Sequence, residues 1–210
     1  MKKRIVLTLM LILALSLLTA CEEGDPLKQC VVSRRVEKST ERHKKEKEEK
    51  EKKEKKAENA LPDLNAFTAQ TLDGGTFSEK DLTEKDLTVI NIWQTTCAPC
   101  IEEMPELASL AASLPDNVSL ITWCLDGMDA KQTVEEIMKE SGFANPTIIS
   151  GDGDLMELYR ALMYTPTTVA LDADGNMVGE PLIGSPEDAE KAYNDYINQA
   201  LKAIGKEPVK

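Results

Sequence analysis

Two cysteines, Cys97 and Cys100, are separated by Ala98 and Pro99 in the stretch VINIWQTTCAPCIEEMPEL. A Cys-x-x-Cys pair has two general uses, metal ligation and thiol-disulfide exchange. A structural zinc site takes four ligands, but the sequence has no second Cys-x-x-Cys pair, and its single histidine, His43, lies far from this stretch. The pair therefore favours disulfide chemistry, with no metal and no other cofactor.

The segments on either side of the pair suit that chemistry. Residues 87–93 are apolar nearly throughout, which predicts a strand covered on both faces, and residues 101–114 carry apolar side chains at helical spacing. A cysteine at a strand-to-helix junction directs its sulfur toward the positive end of the helix, where the thiolate is favoured. Cys97 occupies that junction, and Cys100 lies one turn inside the helix, within reach of a mixed disulfide on Cys97.

Pro99 falls in the first helical turn, where its missing N–H costs little, and it stiffens the loop between the two sulfurs. The alternative is a structural disulfide. So short a loop offers little loop-closure entropy, which makes a structural bridge at this position a weak one.

Strands and helices alternate along the remainder of residues 61–210, a length that can bury one core. The pattern predicts a hairpin around residues 73–75, a strand at 118–125, helices at 131–141 and 154–163, a short strand at 147–149, a second hairpin with its turn at Asp174–Gly175, and a closing helix at 186–203. This order indicates an α/β fold with a central mixed sheet flanked by helices. Trp93 and Cys124 fall in buried-strand patterns and are interpreted as core residues.

A second motif, Tyr164-Thr165-Pro166-Thr167-Thr168, precedes an apolar strand. A proline that opens a strand near a turn is a candidate for a cis peptide bond.

Together, NIWQTTCAPCIEEMPEL and YTPTTVALDADGNMVG resemble the TlpA/ResA-like branch of the thioredoxin superfamily, the membrane-tethered extracytoplasmic thiol-disulfide oxidoreductases. The resemblance extends over about residues 61–201. It implies a thioredoxin fold with a leading β-hairpin and a helical insertion. It also implies that Cys97 is the nucleophile, that Cys100 is the resolving thiol, and that Thr165 and Pro166 form a cis-proline loop facing the sulfurs.

The residues next to the cysteines differ in part from that family. The residue before the first cysteine is usually tryptophan and here is Thr96, so the apolar apron for substrate is expected to be smaller. Thr96, Ala98, Pro99 and Thr165 are the candidate substrate-contacting residues.

The proton acceptor is a further difference. Thioredoxins place a buried acid six residues before the first cysteine, and this chain has Asn91 there. Asp126, at the end of the next predicted strand, and Glu102 or Glu103 are the candidates to replace it. Each of these acids is otherwise interpreted as a solvated surface residue.

Peroxiredoxins belong to the same clan and use a Pro-x-x-x-Thr/Ser-x-x-Cys pattern. Relative to Cys97 those two places hold Ile90 and Gln94, so the activating residues of a peroxidase are missing.

The N-terminus predicts export. Residues 1–4 are basic after the initiator, residues 5–20 form an uncharged apolar run, and Leu18-Thr19-Ala20-Cys21 resembles the lipobox of bacterial lipoproteins. We therefore expect a signal peptide at residues 1–20 and a lipid on Cys21. An ordinary signal peptide or an uncleaved anchor is the alternative.

Residues 21–60 are predicted to be a charged, Lys/Glu-rich tether that is helical or disordered. Residues 34–58 contain 12 basic and eight acidic residues with almost no apolar ones, so they cannot build a core. Cys30 in this tether is either free or forms an intermolecular bridge.

Residues 61–210 carry 26 acidic and nine basic residues, a net charge of −17, which argues against nucleic acid as a partner.

The resemblance implies a lipid-anchored reductant at the outer face of the cytoplasmic membrane or in the periplasm. It implies disulfides of exported proteins as substrates, such as apocytochrome c or a methionine sulfoxide reductase, and a membrane thiol electron donor of the CcdA/DsbD type. A disulfide oxidase or isomerase, or a thioredoxin-like binding module without activity, would be compatible with the same residues.

Overall fold

The structure is a computed structural model and describes residues 61–209. In that part of the chain the strands are β1 (Thr68–Thr71), β2 (Thr76–Ser78), β3 (Leu87–Trp93), β4 (Val118–Cys124), β5 (Thr147–Gly151), β6 (Thr167–Asp172) and β7 (Leu182–Ile183). The helices there are α1 (Glu79–Leu82), α2 (Ala98–Ser113), α3 (Lys131–Ser141), α4 (Asp154–Ala161) and α5 (Ala189–Ala203).

The strands form one mixed sheet in the order β2-β1-β5-β4-β3-β6-β7. The three central strands β5, β4 and β3 are parallel, and β1 and β6 pair antiparallel at either side of them. The hairpin partners β2 and β7 form the two edges. This is the predicted thioredoxin-like α/β fold with its leading hairpin.

The core lies on both faces of the sheet, and alternate residues of β3 belong to opposite faces. Val89 and Trp93 pack with α2, α3 and α5 on one face, whereas Ile90 and Ile92 pack with α4 and the chain around Phe67 on the other. All seven residues of β3 are buried, as its apolar sequence predicts. Each fully buried Val, Leu or Ile contributes about 1.5–3 kcal/mol, so β3 gives the cysteine loop a strongly stabilised support.

Several predicted boundaries differ from the structure. Helix α2 begins at Ala98 with Cys97 as its N-cap, which confirms the prediction that Pro99 lies in its first turn, but it ends at Ser113, one residue before the predicted apolar stripe does. Helix α5 begins at Ala189, three residues later than predicted, where the Asp188 side chain accepts a hydrogen bond from the Lys191 N–H.

Two short elements also depart from prediction. Helix α1 was not predicted, although Ser78 and Asp81 form a capping box at its start. The turn at Asp174–Gly175 is as predicted, with Gly175 at φ +82°, but β7 after it has only two residues.

The predicted signal peptide, Cys21, Cys30 and the tether lie outside the described residues. Within residues 61–209, no helix combines the length and apolar character needed to cross a membrane.

Candidate active site

Cys97 and Cys100 form a disulfide across the first turn of α2, with their Cα atoms 5.3 Å apart. Cys97 is the N-cap of the helix, and its carbonyl oxygen accepts from the Ile101 N–H at 3.2 Å. Its own N–H donates to the Gln94 oxygen at 3.1 Å, which closes a tight turn before the helix. Cys97 is half-buried and Cys100 is 0% exposed, so only the first sulfur is open to a partner.

The peptide bond between Thr165 and Pro166 is cis. Thr167, the next residue, pairs with Ile92 near the end of β3, the strand that leads into the cysteine loop. The sheet register therefore brings the cis-proline loop, before β6, and the disulfide, after β3, to the same end of the strands. On the far side of that loop the Pro166 oxygen accepts from the Gly184 N–H at 2.8 Å.

The predicted substrate-contacting residues are mostly accessible. Thr96, Ala98 and Pro99 are exposed, and Thr165 is half-buried. Four large apolar side chains at this end of the strands are also exposed: Met128 after β4, Met163 and Tyr164 before Pro166, and Ile183 in β7. They supply apolar surface near the cysteines, where Thr96 replaces the tryptophan that usually precedes the first cysteine.

A buried polar cluster lies between β3 and the helices α2 and α5. Asn91 Nδ2 is 3.1 Å from each of three oxygens, Glu103 Oε1, Thr168 Oγ1 and Tyr193 OH, and has two protons to share among them. The Tyr193 hydroxyl donates to Glu103 Oε1 at 3.1 Å. Asn91 thus occupies the place of the thioredoxin acid, and a carboxyl group from the helix is bonded to it.

The interpretation of Glu103 as a surface residue is wrong, because its side chain is 3% exposed. Burial raises the pKa of the Glu103 carboxyl above its ordinary value, and hydrogen bonds from Ser185, Asn91 and Tyr193 offset only part of that effect. Asn91 Oδ1 and Trp93 Nε1 are buried without a hydrogen-bond partner. The prediction of Trp93 as a core residue is confirmed, but its indole N–H is unpaired.

Asp126 is half-buried rather than freely solvated, and its carboxylate is bound to the segment before Cys97. Its oxygens accept from the Thr95 N–H at 3.0 Å and 3.3 Å and from Thr95 Oγ1. Burial acts to raise the pKa of Asp126, but the hydrogen bonds from Thr95 and Cys124 outweigh it, and the pKa lies below its ordinary value. Glu102, the third candidate acid, is exposed.

Cys124 is buried at the end of β4, opposite Trp93, as predicted. Its Sγ–H donates to Asp126 Oδ1 at 3.1 Å. Burial, followed by the adjacent Asp126 carboxylate, raises the pKa of the Cys124 thiol far above its ordinary value. The thiol is therefore protonated at neutral pH and inert toward disulfides.

Sequence reasoning missed three residues of the site, Thr95, Thr168 and Tyr193. Tyr193 belongs to the buried face of α5, where an apolar helical stripe gave no indication of a polar role for its hydroxyl. Thr168 lies within the quoted TPTT motif, two residues after the proline. Among residues 61–209, no group of three or more His, Cys, Asp or Glu side chains is arranged to hold a metal ion.

A mixed sheet in which the inner strand β3 leads into a Cys-x-x-Cys disulfide at a helix N-terminus, with a cis-proline loop at the same end of the strands, defines a thioredoxin-like thiol-disulfide oxidoreductase. The chain belongs to the Redoxin family, whose sequence model matches residues 43–197.

Individual relatives agree with this assignment. Sporulation thiol-disulfide oxidoreductase A of Bacillus subtilis (strain 168) is 29% identical over 113 residues, which cover 53% of this chain and 67% of the relative. The thiol-disulfide oxidoreductase ResA of Bacillus thuringiensis subsp. konkukian (strain 97-27) is 29% identical over 115 residues, which cover 54% of this chain and 64% of the relative. The matches thus span about two thirds of these relatives.

A solved structure supports the fold. The thiol:disulfide interchange protein of Chlorobium tepidum TLS matches with a TM-score of 0.53 at 22% identity, over 70% of this chain and 98% of that one. At this level of identity the likeness establishes the fold alone.

Proposed function

We propose that this protein is a membrane-tethered, extracytoplasmic reductant of disulfides in exported proteins and that the Cys97–Cys100 pair carries the electrons. The observation that supports it best is the unequal accessibility of the two sulfurs, with Cys97 half-buried at a helix N-terminus and Cys100 fully enclosed behind it. A purely structural disulfide does not require that one cysteine be accessible and the other buried.

The reaction proceeds in two exchanges. In the dithiol form, the Cys97 thiolate attacks one sulfur of a client disulfide, a mixed disulfide forms, and the other client sulfur leaves as a thiolate that takes up a proton. The Cys100 thiol then loses its proton and attacks Cys97 Sγ, which releases the second client thiolate and closes the Cys97–Cys100 disulfide. Two electrons pass to the client, and a membrane thiol donor returns two electrons to the pair.

Glu103 is the better candidate for the proton acceptor of Cys100. It lies one helical turn beyond Cys100 on α2, it is buried, and burial raises the pKa of its carboxyl above the ordinary value, which makes it a stronger base than a solvated carboxylate. Asp126 is less suited, because its oxygens are engaged by Thr95 and Cys124 and its pKa is lowered. The half-buried Thr165 and the buried Pro166 would form the loop that faces the sulfurs.

The reducing direction is supported by charge. The Ala98-Pro99 dipeptide places no cation between the sulfurs, and residues 61–210 carry a net charge of −17. Negative surroundings disfavour the thiolate of the dithiol form and so favour the disulfide, which makes the dithiol a stronger reductant. The N-terminal dipole of α2 acts in the opposite sense, by about 0.3–1 kcal/mol.

Location and partners rest on the N-terminal sequence and on family resemblance. A lipid on Cys21 and the charged tether at residues 21–60 would hold the domain at the outer face of the cytoplasmic membrane. A donor of the CcdA/DsbD type and clients such as apocytochrome c or methionine sulfoxide reductase are consistent with that place.

The test is insulin reduction with dithiothreitol as the electron source. Cys97→Ser should abolish turnover, whereas Cys100→Ser should accumulate a mixed disulfide between Cys97 and the client that separates on a reducing gel. A Cys97→Ser variant with wild-type turnover would refute the mechanism. A binding module without activity would show client association in both variants and no covalent adduct.

A further inference from the structure

The segment that enters the cysteine pair is held by a carboxylate from the loop after β4. Asp126 accepts from the backbone N–H and the hydroxyl of Thr95, and the Cys124 Sγ–H donates to its Oδ1. Three donors, two from the loop after β3 and one from the end of β4, therefore converge on one side chain. We call this arrangement the Thr95–Asp126–Cys124 clasp.

The loop that carries Asp126 is itself fixed. The Asp126 carbonyl oxygen accepts from the N–H groups of Asp129 and Ala130 at 3.1 Å and 3.0 Å, and the Gly127 N–H donates to the Cys124 oxygen at 3.2 Å. Gly127 packs so closely that a Cβ there would lie 2.8 Å from Ile149 Cγ2. Asp126 therefore has little freedom to move, and Thr95 is restrained by a rigid partner.

The clasp also holds a residue that lies close in the chain to the reactive cysteine. Thr95 precedes Cys97 by two residues, so their Cα atoms are at most about 7 Å apart. Asp126 is ionised at neutral pH, since its pKa lies below the ordinary value. A negative charge held against Thr95, two residues before Cys97, opposes the formation of a thiolate on Cys97.

We propose that Asp126 is a positioning residue, which fixes the active-site loop through Thr95 and whose charge makes the Cys97–Cys100 pair more reducing. This inference rests on the proposed function and replaces the expectation that Asp126 accepts the proton of the resolving thiol. Cys124 serves as the third donor of the clasp and takes no part in disulfide exchange.

The charge is tested by comparing Asp126→Asn with Asp129→Asn, which removes an exposed carboxylate from the same loop without touching Thr95. The full chain is equilibrated with glutathione buffers. Asp126→Asn should raise the equilibrium constant for reduction of the pair at least threefold, which is about 14 mV for a two-electron couple. It should also move the alkylation of Cys97 by iodoacetamide to lower pH. If Asp126→Asn and Asp129→Asn give the same constant and the same pH profile, the charge effect is overturned.

The positioning is tested by rate. Asn keeps an oxygen that can accept from Thr95, so Asp126→Ala should slow insulin reduction at least threefold relative to Asp126→Asn. Should the alanine variant fail to fold, Thr95→Val, which loses the hydroxyl, is compared with Thr95→Ser, which keeps it; valine should be slower and serine equal to wild type. Equal rates within the pair that is measured would overturn the positioning role.

These results are separable from the proposed function. A wild-type chain that does not reduce insulin would refute the proposed activity, whereas the glutathione equilibrium and the alkylation profile depend only on the cysteine pair and still decide the inference about charge.

Discussion

The Tyr193 hydroxyl donates to Glu103 Oε1 at 3.1 Å, and both side chains are buried beneath the first turns of α2. These residues are 90 positions apart in the chain. The contact joins the closing helix α5 to the helix that bears the disulfide, and Asn91 on β3 completes the connection. A buried polar cluster therefore lies beneath the site, and burial disfavours the ionised form of its central carboxyl, Glu103.

Glu103→Gln should change the pH dependence of stability. Burial raises the pKa of Glu103 in the folded protein, so between its ordinary and its raised value the folded state holds a proton that the unfolded state has lost. The contribution of Glu103 to wild-type stability therefore falls as pH rises through that window, and the glutamine variant should lack this contribution. Urea unfolding of the oxidised protein from pH 4 to 8 measures it; a wild-type slope in the variant would contradict it. Glu102→Gln, at the exposed neighbour, is the matched control.

Tyr193→Phe should destabilise the fold by about 1–3 kcal/mol, because it leaves the buried Glu103 oxygen with one fewer donor. Tyr196→Phe is the comparison, since the Tyr196 hydroxyl donates to the Thr168 oxygen at 3.2 Å from a less buried position, and its loss should cost about 0.5–1.5 kcal/mol. The free energy of unfolding in urea distinguishes the two. A Tyr193→Phe variant as stable as wild type would show that the hydroxyl is dispensable.

The reduction potential of the Cys97–Cys100 pair should lie near the thioredoxin value of about −270 mV. The reason is the acidic character of residues 61–210 and the absence of a cation in the Ala98-Pro99 dipeptide. Titration of the disulfide against dithiothreitol gives the number. A potential near about −120 mV would mean that the protein forms disulfides and that the proposed direction of electron flow is reversed.

Gly175→Ala should be more destabilising than Gly74→Ala. Both glycines have positive φ, +82° and +87°, where an L-residue costs roughly 1–2 kcal/mol. Only at Gly175 would the added Cβ also collide, at 2.3 Å from the Leu64 oxygen, whereas nothing lies within 4 Å at Gly74. The difference in thermal unfolding midpoints isolates the collision, and equal midpoints would show that the chain near Leu64 yields without cost.

Cys21→Ala should release the protein from the membrane, because the predicted lipid is attached to that sulfur. Fractionation of cells that express each form measures it. Membrane retention equal to wild type would instead indicate an uncleaved N-terminal anchor.

The sequence was sufficient for features with a strong local signature. The apolar run of β3, the Cys-x-x-Cys pair at its end and the proline before β6 each follow from residue types at short spacing, and the structure places them as predicted. Helix α3 has its predicted bounds because Gly142 after it adopts φ +74° and ends it.

The burial of Glu103 could have been predicted from its position in α2. Cys100, Met104 and Leu107 form the buried stripe of α2, and Glu103 lies one turn from Cys100 and from Leu107 on the same face. Its partner Tyr193 could not be found in this way, since the contact depends on how α5 packs across the sheet. The role of Asp126 likewise depends on a hydrogen bond to Thr95, 31 positions away.

The complete burial of β3, paired along both of its sides, has a consequence for the order in which the molecule opens. Local openings start at weakly supported elements such as the two-residue edge strand β7, whereas inner strands such as β3 separate only when the whole domain unfolds. The cysteine loop follows β3, whereas the cis-proline loop is hydrogen-bonded through the Pro166 oxygen to Gly184, the residue after β7. The cysteine loop is therefore expected to resist local opening more strongly than the cis-proline loop that lies opposite it.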